Sequence, residues 1–299
     1  MSATSDSPPS GEVPAGVFRR IVAFPLTLLV LGVGLVGMPG LLLANTVAVQ
    51  LHGWKPVLLF PWSVLAVTIT WLLYRAFKRW IERAPDRELP LERNWAGEAL
   101  AGLLIGAALF SGVVGVVALL GGIRITGLGA GASFWVIAGM SLTAAVNEEV
   151  LFRAIGFRFS EKLGGSLFAL FVTSLLFGFA HFANPGATLF SSIAIATEAG
   201  IMLGAAYMLT RRLWFAVGLH AGWNFTQGWI WSIPVSGQTF GTGLFATERQ
   251  GPDWLSGGAF GLEASAVTML VTTLFGLAMV VAAVRRGHWV RMGWLPRGG

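Results

Sequence analysis

The chain has 299 residues, of which 55% are hydrophobic and 11% charged, and its mean hydropathy is +0.72. These values exclude a soluble globular protein and predict an all-α, polytopic membrane protein, since a helix needs about 20 apolar residues to cross a bilayer. The sequence contains no cysteine, which excludes disulfide and thiol chemistry.

Eight transmembrane helices are predicted in chain order from apolar runs with few or no charges. The first run follows Arg19 and Arg20 and is too long for the core of a signal peptide, which predicts a retained span. Residues 1–18 are rich in Ser, Pro and Gly, so we expect a disordered N-terminal tail. The predicted spans are 21–51, 57–74, 99–123, 130–159, 163–180, 187–210, 213–233 and 264–284.

These spans divide the chain into regions with different expected roles. The first three helices, within 19–130, carry no distinctive polar residues, whereas the four helices of 131–233 are expected to form a core with a mid-membrane cavity. The Gly-, Ser- and Pro-rich segment 234–263 is expected to be an extracytoplasmic loop, either an ordered lid or a plain connection. The last helix and a basic C-terminal tail occupy 264–299.

The net charge of +6 reflects membrane topology. With eight spans and a cytoplasmic N-terminus, 17 of the 20 basic residues lie on the inner side, and only Lys55, Arg124 and Arg249 lie outside. Inner loops of membrane proteins carry this excess of Lys and Arg. We therefore predict an integral protein of a bacterial cytoplasmic membrane with both termini in the cytoplasm, and no nucleic-acid partner.

Ionisable side chains within the predicted spans are the candidates for function. Each costs about 2.5–3.5 kcal/mol to place at the centre of a membrane helix, so few are kept without a role. The set, with one uncharged companion, is Glu148, Glu149, Arg153, His181, Glu198, His220 and Asn224.

Three of these charges lie within one and a half turns of the fourth helix. Glu149 and Arg153 are spaced i,i+4 with the acid first, which favours an intrahelical ion pair. Glu148 points about 100° away from Glu149 around the helix and has no helix partner at this spacing. We interpret the first two as a structural pair and Glu148 as a carboxylate free to accept a proton.

The remaining polar groups lie on later helices. His220 and Asn224 share one helix face at i,i+4, and His181 ends the fifth span. Helix tilt and long side chains would bring these three residues and Glu148 into one mid-membrane cavity. For Glu198 three positions stay open: in the cavity, paired with a histidine, or facing the interior in its protonated form.

Three short motifs carry a family resemblance. "EEVLFR" from Glu148 fits EExxxR, "FGFAH" ending at His181 fits FxxxH, and "HAGWN" from His220 fits HxxxN. In this order, between about Phe134 and Phe225, they resemble the CPBP family of CAAX prenyl proteases and bacteriocin-processing (Abi-like) membrane proteins.

The resemblance implies an intramembrane endopeptidase that acts on membrane-embedded or lipidated peptides or proteins. By motif position, Glu148 and His181 would activate a water molecule, and His220 and Asn224 would bind the oxyanion. Glu149 and Arg153 would shape the site, with Glu198 as an accessory candidate. Membrane lipid is the expected surrounding partner, and the oligomeric state is left open.

Alternative mechanisms remain open at this point. Glu148, His181 and His220 form a plausible Zn²⁺ set, but no HExxH pair places two ligands on one helix, and we favour catalysis that requires no cofactor. A proton-coupled transporter would use the same Glu and His residues as a relay, but the sequence shows no internal repeat. A third alternative is a scaffold or immunity factor without turnover.

Overall fold

The computed structural model describes residues 16–50, 56–92, 94–131 and 133–292. The first 15 residues of the predicted disordered tail, and the end of the predicted basic tail from 293, lie outside these ranges. Within them the α-helices are α1 (Val17–Ala23), α2 (Pro25–Gly32), α3 (Met38–Gln50), α4 (Leu59–Ala76), α5 (Trp95–Leu119), α6 (Phe134–Glu149), α7 (Arg158–Ala180), α8 (Leu189–Ile195), α9 (Ile201–Thr210), α10 (Trp214–Phe225), α11 (Asp253–Ser256) and α12 (Ala266–Arg285).

Several of these helices are joined into longer rods by segments of wider, π-type turn. Such turns are rare and often accompany functional sites, and two of them contain a candidate site residue, Arg153 in one and Glu198 in the other. Short 3₁₀ turns lie at Pro56–Leu58, His181–Ala183 and Leu262–Ala264. The π-type segments are Val33–Gly37, Phe77–Glu82, Val150–Phe157, Ala196–Gly200 and Thr226–Ile230.

The all-α, polytopic membrane architecture is confirmed, with six helices among the described residues long and apolar enough to cross a membrane. Their outward faces expose many large apolar side chains, as a lipid-facing surface requires. The six are Pro25–Asn45, Leu59–Glu82, Trp95–Leu119, Phe134–Ala183, Leu189–Thr210 and Ala266–Arg285.

The difference from the eight predicted spans has two sources. The helix Phe134–Ala183 has 50 residues and bends at Gly165, whose φ of 80° lies in the left-handed region, so it provides the two arms that the sequence predicts as separate spans. The second source is α10, which with its π-type extension Thr226–Ile230 is a short rod of 12 and 5 residues.

Close packing of α10 against α5 fixes the position of the site. Gly102 and Gly106 of α5 face Gly218 and Gly222 of α10, and a Cβ atom on any of the four would lie 2.0–2.3 Å from a backbone carbonyl oxygen of the other helix. Small residues four apart let membrane helices approach to this distance.

The segment 234–263 is an ordered structure at one end of the bundle. Its strand β2 (Phe245–Arg249) pairs antiparallel with β1 (Ile123–Leu128), the strand that follows α5. The same segment contributes residues 235–240 to the wall of a cavity. Of the two alternatives considered for this loop, the structure therefore has the ordered one.

Candidate active site

The four predicted catalytic residues line one cavity of about 1160 Å³. Glu148 lies near the end of α6, His181 begins the 3₁₀ turn after α7, and His220 and Asn224 lie one turn apart on α10. The bend at Gly165 turns α7 back against the π-type segment Val150–Phe157, which brings residues 33 positions apart in sequence into the same cavity.

The Glu148 carboxylate faces both imidazole rings. Its Oε2 atom lies 4.0 Å from Nε2 of His181 and 3.9 Å from Nε2 of His220. This oxygen is buried and has no hydrogen-bond partner among the described residues. The two separations exceed a direct hydrogen bond but suit a polar contact bridged by one water.

The FxxxH motif has a structural explanation. Nδ1 of His181 lies 2.8 Å from the carbonyl oxygen of Phe177, one turn earlier on α7. A carbonyl oxygen only accepts, so Nδ1 carries the proton and Nε2 presents its lone pair towards Glu148. The Phe177 ring, whose centroid is 4.9 Å from that of the histidine, holds the imidazole in place.

The predicted ion pair between Glu149 and Arg153 is present and buried. Nη1 of Arg153 donates to Oε1 of Glu149 at 3.0 Å, and the two side chains are 1% and 0% exposed. Arg153 also donates to the carbonyl oxygens of Ala199 and Gly200 at 3.3 and 3.4 Å. Its guanidinium lies 4.6 Å from the ring centroid of Phe177, so one residue ties α6 to α7 and to the π-type turn Ala196–Gly200.

Glu149 has a second partner that the sequence did not indicate. Its Oε1 atom lies 3.1 Å from Nδ1 of His220. Because Oε1 of Glu149 already accepts a hydrogen bond from Arg153, the histidine Nδ1 donates the proton of this second bond. Glu149 therefore orients His220 through a contact between α6 and α10 for which sequence spacing gives no signal.

Glu198 lies in the π-type turn Ala196–Gly200 and lines the cavity. Of the three positions left open for it, the structure has the first, because no ion pair to a histidine is found for it among the described residues. It is 1% exposed, and its Oε2 atom is buried without a hydrogen-bond partner in the described part of the chain.

Glu263 also lines the cavity, and sequence reasoning missed it. It lies in the 3₁₀ turn before α12, and its carboxylate accepts hydrogen bonds from the Ser236 backbone N–H, the Ser236 hydroxyl and Nε2 of Gln227 at 2.5, 3.0 and 2.9 Å. Burial raises the pKa of the Glu263 carboxyl, and these hydrogen bonds oppose the rise. It was assigned to the predicted loop 234–263, although an acid directly before the predicted span 264–284 was a visible signal.

The residues considered for Zn²⁺ do not meet the geometry of a zinc site as they stand. Bonds of about 2.0–2.2 Å in a tetrahedron place neighbouring ligand atoms about 3.3–3.6 Å apart. The separations from Glu148 Oε2 are 4.0 and 3.9 Å. Nowhere in the described ranges is there a group of three His, Asp or Glu side chains arranged to hold a metal ion.

Comparison with known proteins matches the region that carries these residues. Residues 130–226 match the family model described as type II CAAX prenyl endopeptidase Rce1-like. No curated protein and no solved structure matches the chain. The match supports protease activity in general terms for this membrane protein. It confirms the resemblance to the CPBP proteins seen in the three motifs, and residues 130–226 are thus similar to the Rce1-like type II CAAX prenyl endopeptidases.

Proposed function

We propose that this chain is an intramembrane endopeptidase that hydrolyses a peptide bond of a membrane-embedded or lipidated substrate. The observation that carries the proposal is the meeting of Glu148 Oε2 with Nε2 of His181 and of His220, at 4.0 and 3.9 Å, in the wall of a large cavity. Hydrolysis of an amide requires a base for water and donors where negative charge develops, and this group contains both.

Glu148 and His181 are positioned to activate a water molecule. A water about 2.8 Å from both Glu148 Oε2 and His181 Nε2 fits their 4.0 Å separation. Both atoms are acceptors, because Phe177 holds the proton on the other nitrogen of His181. The water donates to both and keeps a lone pair for attack on the carbonyl carbon. Glu148 takes the proton and then delivers it to the leaving amine.

His220 and Asn224 are the proposed oxyanion donors. Because Nδ1 of His220 donates to Glu149, Nε2 donates to the oxyanion only when the ring carries a second proton. Asn224, one turn further along α10, supplies an amide N–H from the same helix face. Each such donor contributes about 10²–10³ in turnover in enzymes that use this device.

The cavity suits a substrate that is part apolar and part polar. One wall is formed by apolar side chains of α3, α4 and α6, among them Leu41, Leu59 and Met140. A second wall carries polar groups from the turns that contain His181 and Glu198, from α10 and from the segment 235–240. An apolar peptide segment or a lipid chain fits the first wall while the peptide backbone lies against the second.

The transporter alternative receives less support than the peptidase. A relay across the membrane would use the same Glu and His residues. The match of residues 130–226 to an endopeptidase family model favours hydrolysis.

Hydrolysis of a quenched fluorescent membrane peptide by the purified protein tests this proposal. Glu148→Gln keeps size and hydrogen bonding but cannot take a proton, so turnover is expected to fall by about 10² or more. The matched control is Glu248→Gln, which should retain full turnover. Glu248 pairs with Arg124 on the exposed two-stranded sheet. Proton-driven flux in liposomes without any cleavage would favour the transporter, and cleavage undiminished in Glu148→Gln would remove Glu148 from the mechanism.

A further inference from the structure

Two acidic side chains outside the proposed catalytic group lie in the polar wall of the cavity. Glu198 comes from the π-type turn between α8 and α9, and Glu263 from the turn before α12. They are 1% and 3% exposed, and both line the cavity that contains Glu148. Their like charges repel each other, and neither is used in the hydrolytic steps proposed above.

Glu198 lacks an internal cation. Its Oε2 atom is buried without a hydrogen bond, and no ion pair to it occurs within the described residues. The nearest guanidinium, that of Arg153, instead donates to the carbonyl oxygens of Ala199 and Gly200 and to Glu149. A buried carboxylate without a partner is strongly unfavourable, so this carboxylate would be stabilised by binding a proton or a cation.

The helices on either side of Glu198 pack closely against two neighbours, which fixes the position of its backbone beside the cavity. A Cβ atom on Gly178 of α7 would lie 2.2 Å from the carbonyl oxygen of Ser192, and one on Gly200 would lie 2.8 Å from Ser174. On the other side Gly276 of α12 approaches Met202 of α9 to 3.1 Å by the same measure. Such close packing on two sides leaves α8 and α9 no room to rotate.

Glu263 is fixed by three donors, which favour its ionised form. Next to it Asn184 donates its Nδ2 proton to the carbonyl oxygen of Ser236 at 3.0 Å, which leaves its Oδ1 as an acceptor. Asn184 lies three residues after His181 and also lines the cavity. The polar wall therefore presents acceptors close to the proposed catalytic histidine.

We propose that Glu198 and Glu263 form an acidic subsite that binds a cationic group of the substrate, a Lys or Arg side chain, beside the peptide bond that is held at Glu148. This proposal rests on the proposed peptidase function. A bound cation would neutralise Glu198 and relieve its repulsion with Glu263, so a basic residue near the cleaved bond gains affinity that an isosteric neutral residue lacks. The subsite thus selects membrane peptides that carry one basic residue in an otherwise apolar segment.

Binding to protein that cannot hydrolyse its ligand tests the subsite directly. The probes are short, fluorescent, leucine- and alanine-rich peptides in detergent micelles, each with one lysine at successive positions, together with norleucine and acetyl-lysine counterparts. On the Glu148→Gln protein we expect one lysine position to bind about tenfold or more tighter than both counterparts, the range of a hydrogen bond to a charged group. The acetyl-lysine comparison requires no further variant, so it stands even if other substitutions reduce folding.

Two further variants assign the preference to its residue. In Glu148→Gln/Glu198→Gln the lysine preference should fall to about one. In Glu148→Gln/Thr197→Val, changed at a neighbouring residue that does not line the cavity, it should persist. Equal binding of lysine and acetyl-lysine peptides at every position, or a preference that survives Glu198→Gln, would overturn the subsite.

Cleavage by the wild-type protein separates this proposal from the proposed function. Cleavage without any lysine preference overturns the subsite and leaves the peptidase. A lysine preference in binding, with no cleavage of any peptide by wild-type protein, overturns the peptidase and keeps a binding site for basic membrane peptides.

Discussion

At the scale of single residues, Glu149 is the link between the buried ion pair and the proposed catalytic groups. Its Oε1 atom lies 3.0 Å from Arg153 Nη1 and 3.1 Å from His220 Nδ1. Glu148, the adjacent residue, faces the cavity from the other side of the same turn. The two glutamates therefore have different roles, and substituting each one alone should give different effects on stability and turnover.

Glu149→Gln should lower stability and activity by separate routes. It leaves Arg153 charged and unpaired, and breaking a buried pair typically costs about 3–5 kcal/mol. The double change Glu149→Gln with Arg153→Met removes the stranded charge, so the melting temperature in detergent should recover in part. Turnover per folded molecule should stay low in both variants, because His220 has lost its anionic partner. Full recovery of turnover in the double variant would show that Glu149 acts only through Arg153.

Metal removal provides a second test at this scale. We expect hydrolysis to persist after exhaustive chelation, with no stoichiometric zinc in the purified protein, because water activation is assigned to Glu148 and His181 alone. The measurement is the turnover of the quenched peptide before and after chelation. Loss of turnover that zinc alone restores would assign Glu148, His181 and His220 to a metal.

What the sequence can predict about the site depends on how each residue is placed. Residues that act from one helix, such as the Glu149–Arg153 pair, follow from i,i+4 spacing. The motif residues follow from the cost of burying charge in a membrane. The contact of Glu149 with His220 and the position of Glu263 in the cavity wall both depend on tertiary packing. The spacing of residues along the chain does not predict such packing.

At the scale of elements, the glycine faces of α5 and α10 determine where His220 and Asn224 lie. Gly218 and Gly222 are on the same helix as these residues, and their backbones approach α5 too closely for any side chain. The sequence shows glycines four apart on both helices, but which pair of helices they join follows only from the fold.

Gly222→Ala should therefore weaken both the fold and the site. The new Cβ atom would lie 2.2 Å from the Leu103 carbonyl oxygen, and overpacking of this kind typically costs about 1–3 kcal/mol. The helices must separate, which moves His220 away from Glu148, so turnover per folded molecule should fall as well as the melting temperature.

Gly115→Ala on α5 is the matched control for that experiment. Nothing lies within 4 Å of a Cβ atom at this lipid-facing position. The substitution should leave turnover unchanged and alter stability by no more than the helix-propensity gain of about 1 kcal/mol. Equal effects of the two substitutions would contradict the assignment of Gly222 to a close helix contact.

At the scale of the whole molecule, the orientation in the membrane decides from which side substrate arrives. The two-stranded sheet of β1 and β2 lies at the end of α5 opposite the 83–94 connection, and the 25 residues of α5 span about 37 Å between them. The segment 235–240 lines the cavity and ends shortly before β2, so it lies towards the sheet end. With both termini cytoplasmic, as the distribution of basic residues predicts, the cavity is covered from the extracytoplasmic side.

Single introduced cysteines test this orientation without background, because the chain contains no cysteine of its own. Thr126 in β1 and Arg87 in the 83–94 connection are both exposed and lie at opposite ends of α5. In intact cells a membrane-impermeant maleimide should label the Thr126→Cys protein, whereas the Arg87→Cys protein should react only after the membrane is permeabilised. The physical reason is the positive-inside asymmetry, which places the Arg-rich connection in the cytoplasm. The reverse labelling pattern would show the opposite topology. The covered face of the cavity, with Glu198 and Glu263 in its wall, would then face the cytoplasm.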